Sequence, residues 1–155
     1  MIILVHLLFG SAIGHIIKNP VIAIILAFLS HYFLDFLPHI EYPIENIKNK
    51  QWPKSLPEFL NIALDFSLGI LLIFIFSNPA LPAGRQAIVF ITAFFSILPD
   101  GFNFLNLLFP NKLLKIHDNS HEKIHFYKNK TKISVFWRIT SQIAAIIVSV
   151  ILLRL

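Results

Sequence analysis

Nine side chains able to bind metals or move protons lie in or beside strongly apolar sequence: His6, His31, Asp35, His39, Asp65, Asp100, His117, His121 and His125. Three of the eight acids, Asp35, Asp65 and Asp100, interrupt otherwise hydrophobic runs. An ionisable group in such a run is costly and marks function by default. His31 and Asp35 are four residues apart and share one face of a helix. His117, His121 and His125 repeat the same interval, so a helix there lines three imidazoles along one stripe. Neutral imidazoles with carboxylates suit zinc, manganese or iron, whereas an all-oxygen set would point to magnesium or calcium. A zinc site needs only three or four protein ligands. Nine candidates leave room for a second metal or for residues that orient the ligands. The chemistry these types imply is metal binding, which allows metal-dependent hydrolysis among other roles. A divalent ion, zinc foremost, lowers the pKa of water from about 15.7 toward about 7, and Asp35, Asp65 or Asp100 serves as general base.

Composition says what must position these groups. The 155 residues make one domain, and 56% are hydrophobic against 14% charged. A soluble domain carries about 25% charged residues, so the chain has too little polar material to coat a water-facing surface. The absence of cysteine excludes disulfides, thiolate ligands and cysteine nucleophiles. Apolar runs occupy Ile2–Ile17, Val21–Leu37, Phe59–Ser77, Gln86–Phe109 and Ile133–Leu153, bounded by Asn19-Pro20, Pro38, Pro57, Asn78-Pro79 and Pro110. The expected fold is all-α: a polytopic membrane protein over residues 1–155, of about five transmembrane helices with a His-rich cytoplasmic loop. The first run lacks a basic leader and a cleavage site and reads as a retained helix. Gly10 and Gly14 form a GxxxG pair in it, a spacing that permits close helix approach or self-association into a homo-oligomer.

The lysines set the orientation. Lys48, Lys50 and Lys54 fall between runs two and three, and Lys112, Lys115, Lys123, Lys128, Lys130 and Lys132 between runs four and five. Only Lys18, Arg85 and Arg154 occupy the other side. The positive-inside rule then places the N-terminus and both long loops in the cytoplasm, in an inner membrane. The net charge of +5 is a topology signal helped by anionic lipids, and no nucleic-acid partner is expected. With that orientation His6, His31, Asp35, His39, Asp65 and Asp100 all fall in the cytoplasmic half. His15 lies toward the opposite face and reads as an interfacial residue. Competing roles are a helix cap for Asp100 after Pro99, a cap for Asp118, and a solvated loop residue for His117.

The segment Ser30-His31-Tyr32-Phe33-Leu34-Asp35-Phe36-Leu37-Pro38-His39, with the early His6, the Ile97-Leu98-Pro99-Asp100 motif and the stretch from His117 to His125, resembles the membrane-bound metal-dependent hydrolases. That family is similar to the LexA-binding inner-membrane hydrolases of bacteria; a helical His/Asp cluster is more remotely similar to zinc-dependent phospholipase C. The resemblance implies site roles for His6, His31, Asp35, His39, Asp100, His121 and His125, and for Asp65 by its place in run three. After Leu-Pro-Asp the bacterial pattern carries a second acid and a histidine, where this chain has Gly101-Phe102-Asn103.

A hydrolase acting on phosphoester or lipid-like substrates at the cytoplasmic membrane face is the leading reading. The alternatives are a metal-ion or proton transporter, which would need polar groups through the full depth, and a scaffold whose metal only ties helices together.

Overall fold

A computed structural model gives the fold, described over residues 1–124 and 133–155. His125, Lys128, Lys130 and Lys132 lie outside the described residues. The rest is all-helical: α1 (Ile3–Ile16), α2 (Pro20–Phe36), a short α3 (Glu45–Lys48), one 3-10 turn (Trp52–Lys54), α4 (Leu56–Phe76), α5 (Ala83–Leu108), α6 (Lys112–Ile124) and α7 (Val135–Arg154). Three of these helices, α4, α5 and α7, are long and apolar enough to cross a membrane. Helix α1 has 14 residues and α2 has 17. At 1.5 Å per residue they reach about 21 and 26 Å, short of a hydrocarbon core of about 30 Å.

The short α1 is the central post. Leu4, Val5, His6, Leu7, Leu8, Gly10, Ser11, Ala12 and Gly14 are all buried, and α2, α4, α5 and α7 pack around them. Gly10 and Gly14 explain the closeness of α5. A Cβ on Gly10 would stand 2.5 Å from Ser96, and one on Gly14 would stand 2.1 Å from Thr92 Oγ1. The GxxxG pair therefore seats α1 on α5 of the same chain, as small residues do where helices meet without a solvent-driven gain. The outward faces are apolar, with Leu64, Phe74, Phe94, Trp137 and Ile151 exposed. Soluble monomers rarely leave such a continuous apolar surface.

Helix ends follow the punctuation. Asn19 caps α2 by accepting from the amides of Val21 and Ile22, with Pro20 at the first position, where its missing N–H costs nothing. Arg85 closes the far end of α1, donating to the carbonyls of Gly14, His15, Ile17 and Lys18. Glu58 in the first turn of α4 accepts from the Asn46 and Ile47 amides and so caps α3.

Two capping expectations give way. Helix α5 runs unbroken through Pro99, so Asp100 is an interior helical residue and not the cap of a second piece. Asp118 is likewise inside α6 and accepts from Asn106 Nδ2 at 3.0 Å, fastening α6 against α5.

Candidate metal centre

Four helical positions bring one ligand atom each to a common point. His31 and Asp35 come from the last turns of α2, Asp100 from α5 and His121 from α6, and their ligand atoms all lie within 4.8 Å of one another. His31 Nε2 is 3.0 Å from Asp35 Oδ2, 2.9 Å from His121 Nε2 and 3.6 Å from Asp100 Oδ1. His121 Nε2 is 3.1 Å from Asp35 Oδ2 and 3.9 Å from Asp100 Oδ1. Atoms about 2.0 Å from a tetrahedral ion stand about 3.3 Å apart, so these separations outline a tetrahedral cage.

The donor chemistry fits a cation. His31 Nδ1 lies 2.8 Å from the Ser96 carbonyl, which can only accept, so Nδ1 carries a proton and Nε2 is the atom turned inward. A backbone carbonyl holding the outer nitrogen is the usual support of a metal-bound imidazole. Pro99 has no N–H for the carbonyl of Phe95, which loosens the α5 ladder beside this contact. Two carboxylates and two inward-facing imidazoles, drawn this close out of water, need protons or a metal ion among them. The His31, Asp35 and His121 side chains are at most 5% exposed, whereas Asp100 is 37% exposed. The cage is shut on three sides and opens at Asp100.

Around it stands a polar frame. Asn103 Nδ2 is 2.9 Å from His121 Nδ1, and Asn103 Oδ1 accepts from His117 Nδ1 at 3.0 Å. His117 Nε2 meets the Tyr32 hydroxyl at 2.9 Å. Burial, and then the positive field of His121, hold the His117 pKa below its ordinary 6.5.

The remaining predicted residues lie at the same end of the bundle. His6 is fully buried and stacks on His31, ring centroids 4.2 Å apart, with Nε2 3.2 Å from Asp35 Oδ1. His39 Nε2 is 3.9 Å from the same oxygen and 2.8 Å from Glu41 Oε1. The loop that carries His39 is pinned by α7, where Ser141 Oγ donates to the Pro38 carbonyl and Gln142 Nε2 to that of Ile40. Asp65 stands outside the four-ligand group and accepts from the Leu4 amide at 2.8 Å, at the first turn of α1. Burial, and then Asp65, raise the pKa of the Tyr42 phenol. His117 is two hydrogen bonds from the cage, through Asn103. His15 sits at the opposite end of α1 beside Arg85.

Sequence reasoning missed Glu41, Asn103, Tyr32 and Ser96. Glu41 had a local signal, two residues past His39 in a loop; the others act through contacts between helices.

No protein-family model matches this chain, and neither a curated protein nor a solved structure matches it. The class is therefore set by the structure alone: a helix-rich protein with, among the described residues, three helices of membrane-spanning length and a buried His/Asp cluster able to hold a divalent metal ion.

Proposed function

We propose that this chain is an integral-membrane, metal-dependent hydrolase of the cytoplasmic (inner) membrane, working on phosphoester or lipid-like substrates at the cytoplasmic face. The observation that carries the reading is the four-atom cage of His31, Asp35, Asp100 and His121 with Asp100 alone half-exposed. A purely structural site is closed by its ligands, whereas a reactive one keeps a side open. Support for the membrane comes from the apolar exterior of α4, α5 and α7 together with the lysine bias of the loops at the site's end. The motif resemblance to membrane-bound metal-dependent hydrolases points the same way.

When bound, a divalent ion supplies an acidified water at neutral pH and an electrophilic contact for a phosphoryl or acyl oxygen. The chain's own residues do the rest. Ser96 and Asn103 fix the two imidazole rings. Asp100, at the open side, offers its second carboxylate oxygen as the general base for an entering water. The Tyr32 hydroxyl and His117, linked to each other beside the opening, hold a proton for the leaving group. An apolar cavity of about 340 Å³, lined by Phe9, Ile13, Leu26, Leu29, Ser30 and Phe33, runs along α1 and α2 and would take a hydrocarbon chain. For a transport pathway, the far end is poorly furnished: Arg85 there is engaged by α1 carbonyls and Ser149 Oγ by the Ala145 carbonyl.

Elemental analysis of the detergent-purified chain, beside an Asp35→Ala, Asp100→Ala double variant, tests this. Stoichiometric zinc, manganese or iron in the parent and its loss in a folded variant are expected, with metal-dependent turnover of a phosphodiester or phospholipid. A metal-free parent that stays inert after reconstitution would sink the reading.

A further inference from the structure

Asp35 presents its two oxygens to two different sets of residues. Oδ2 belongs to the cage already described. Oδ1 lies 3.2 Å from His6 Nε2 and 3.9 Å from His39 Nε2, and His39 Nε2 lies 2.8 Å from Glu41 Oε1. These three separations lie on either side of the spacing of about 3.3 Å between ligand atoms around a tetrahedral ion.

Two features distinguish this from ordinary packing. First, His6 is fully buried and neither ring nitrogen has a hydrogen-bond partner among the described residues, though Nε2 is turned toward Asp35. Buried imidazole nitrogens are seldom left so, because their lost hydration is not replaced. Secondly, His39 Nδ1 is 2.6 Å from the Leu37 carbonyl and must donate to it, which leaves Nε2 facing Asp35 and Glu41. Against two carboxylates that nitrogen either carries a second proton or meets a metal ion. The Met1 amino nitrogen also contacts Asp35 Oδ1.

We propose that Asp35 is a bridging carboxylate between two metal ions. One is held by His31, Asp35 Oδ2, Asp100 and His121, the other by His6, His39, Glu41 and Asp35 Oδ1. The proposal rests on the reading of the first cage as a metal site. It also bears on the substrate: a pair of ions at such a site would clamp the attacking and leaving oxygens of an in-line displacement, which suits a phosphoester.

The full chain in detergent, stripped with a chelator and reloaded with Mn²⁺, provides the test by metal content and electron paramagnetic resonance. The parent is expected to bind two ions per chain with an exchange-coupled spectrum. A His39→Gln, Glu41→Gln double variant is expected to keep one ion with an uncoupled spectrum, and His121→Ala to lose the other. One ion in the parent, unchanged in the double variant, overturns the second site and leaves the first standing. No ion in the parent sinks the reading beneath both. Should the double variant not fold, the parent spectrum decides alone: two uncoupled ions, or one, overturn the bridge.

Discussion

Asn103 Nδ2 lies 2.9 Å from His121 Nδ1, and the oxygen of the same amide accepts from His117 Nδ1. With the amide so placed, His121 Nδ1 is an acceptor and the neutral ring keeps its proton on Nε2, the atom that faces Asp35. A metal at Nε2 needs the opposite tautomer. Turning the Asn103 amide over supplies it: the oxygen then accepts from His121 Nδ1, and the nitrogen donates to His117. Metal loading should therefore move the His117 proton from Nδ1 to Nε2, a change that ¹⁵N NMR of labelled histidine reads directly. A His117 tautomer indifferent to Zn²⁺ would separate Asn103 from the metal site.

The same relationship fixes a mutational outcome. Asn103→Leu removes the group that orients His121, and loss of such outer support costs about 10–100-fold in metal affinity. Asn103→Asp keeps an acceptor for His121 and adds negative charge, so it should bind at least as tightly as the parent. Competition against a chromophoric chelator measures both. Equal affinities for the Leu and Asp variants would rule out the orienting role.

Much of this was legible in the residues themselves. Run ends marked by Asn19-Pro20, Pro38 and Pro110 fall at or near helix ends, and the depth of His6, His31, Asp35 and Asp100 places them at one end of the bundle. Four-residue spacing put His31 with Asp35, and the placement of His121 beside them required α6 to fold back, which it does through Asn106 and Asp118. Other features depend on packing between helices that no local pattern encodes. Asn103 faces His117 and His121 only because α5 stays helical past Pro99, where a proline suggested a break. That α1 is the buried post follows from its shortness and from Gly10 and Gly14 meeting Ser96 and Thr92, partners some eighty residues distant.

Those glycines give a stability prediction. The Cβ of Gly14→Ala would stand 2.1 Å from Thr92 Oγ1 and 3.0 Å from the Ile88 carbonyl, in a fully packed seam. Overpacking of this kind costs about 1–3 kcal/mol, which should appear as a lowered thermal midpoint in detergent. Adding Thr92→Ala removes the nearest atom and should restore part of the loss. Gly101→Ala meets nothing within 4 Å in the same helix as Thr92 and should stabilise by about 0.4–1 kcal/mol. If all three variants melt alike, the close approach of α1 to α5 is not what the glycines serve.

His117 carries a pH dependence whose sign follows from its depressed pKa. Burial and then His121 disfavour its protonated form, so the unfolded chain takes up this proton from pH 6.5 downward while the folded chain resists it. Its contribution is fully present above 6.5 and is lost as the pH falls from there toward the lower folded value. Thermal midpoints of the metal-stripped protein should therefore decline below pH 6.5, and His117→Gln should flatten part of that decline. An unchanged slope in the variant would place the titration elsewhere.

Arg85 offers the control that separates folding from chemistry. It is at the opposite end of α1 from His6 and donates to four backbone carbonyls, those of Gly14, His15, Ile17 and Lys18. Carbonyls at a helix C-terminus have no intrahelical donors, so a guanidinium there both satisfies them and complements the helix dipole. Charge-assisted bonds of this kind are worth about 1.5–3 kcal/mol each where buried, and the half-exposed setting reduces that. Arg85→Ala should lower the thermal midpoint clearly, and Arg85→Lys, which cannot span four carbonyls, should recover only part of it. Metal content per chain should not change in either variant below its melting temperature. A loss of metal in Arg85→Lys would mean that the two ends of α1 are coupled, and that the post transmits strain from its cap to His6.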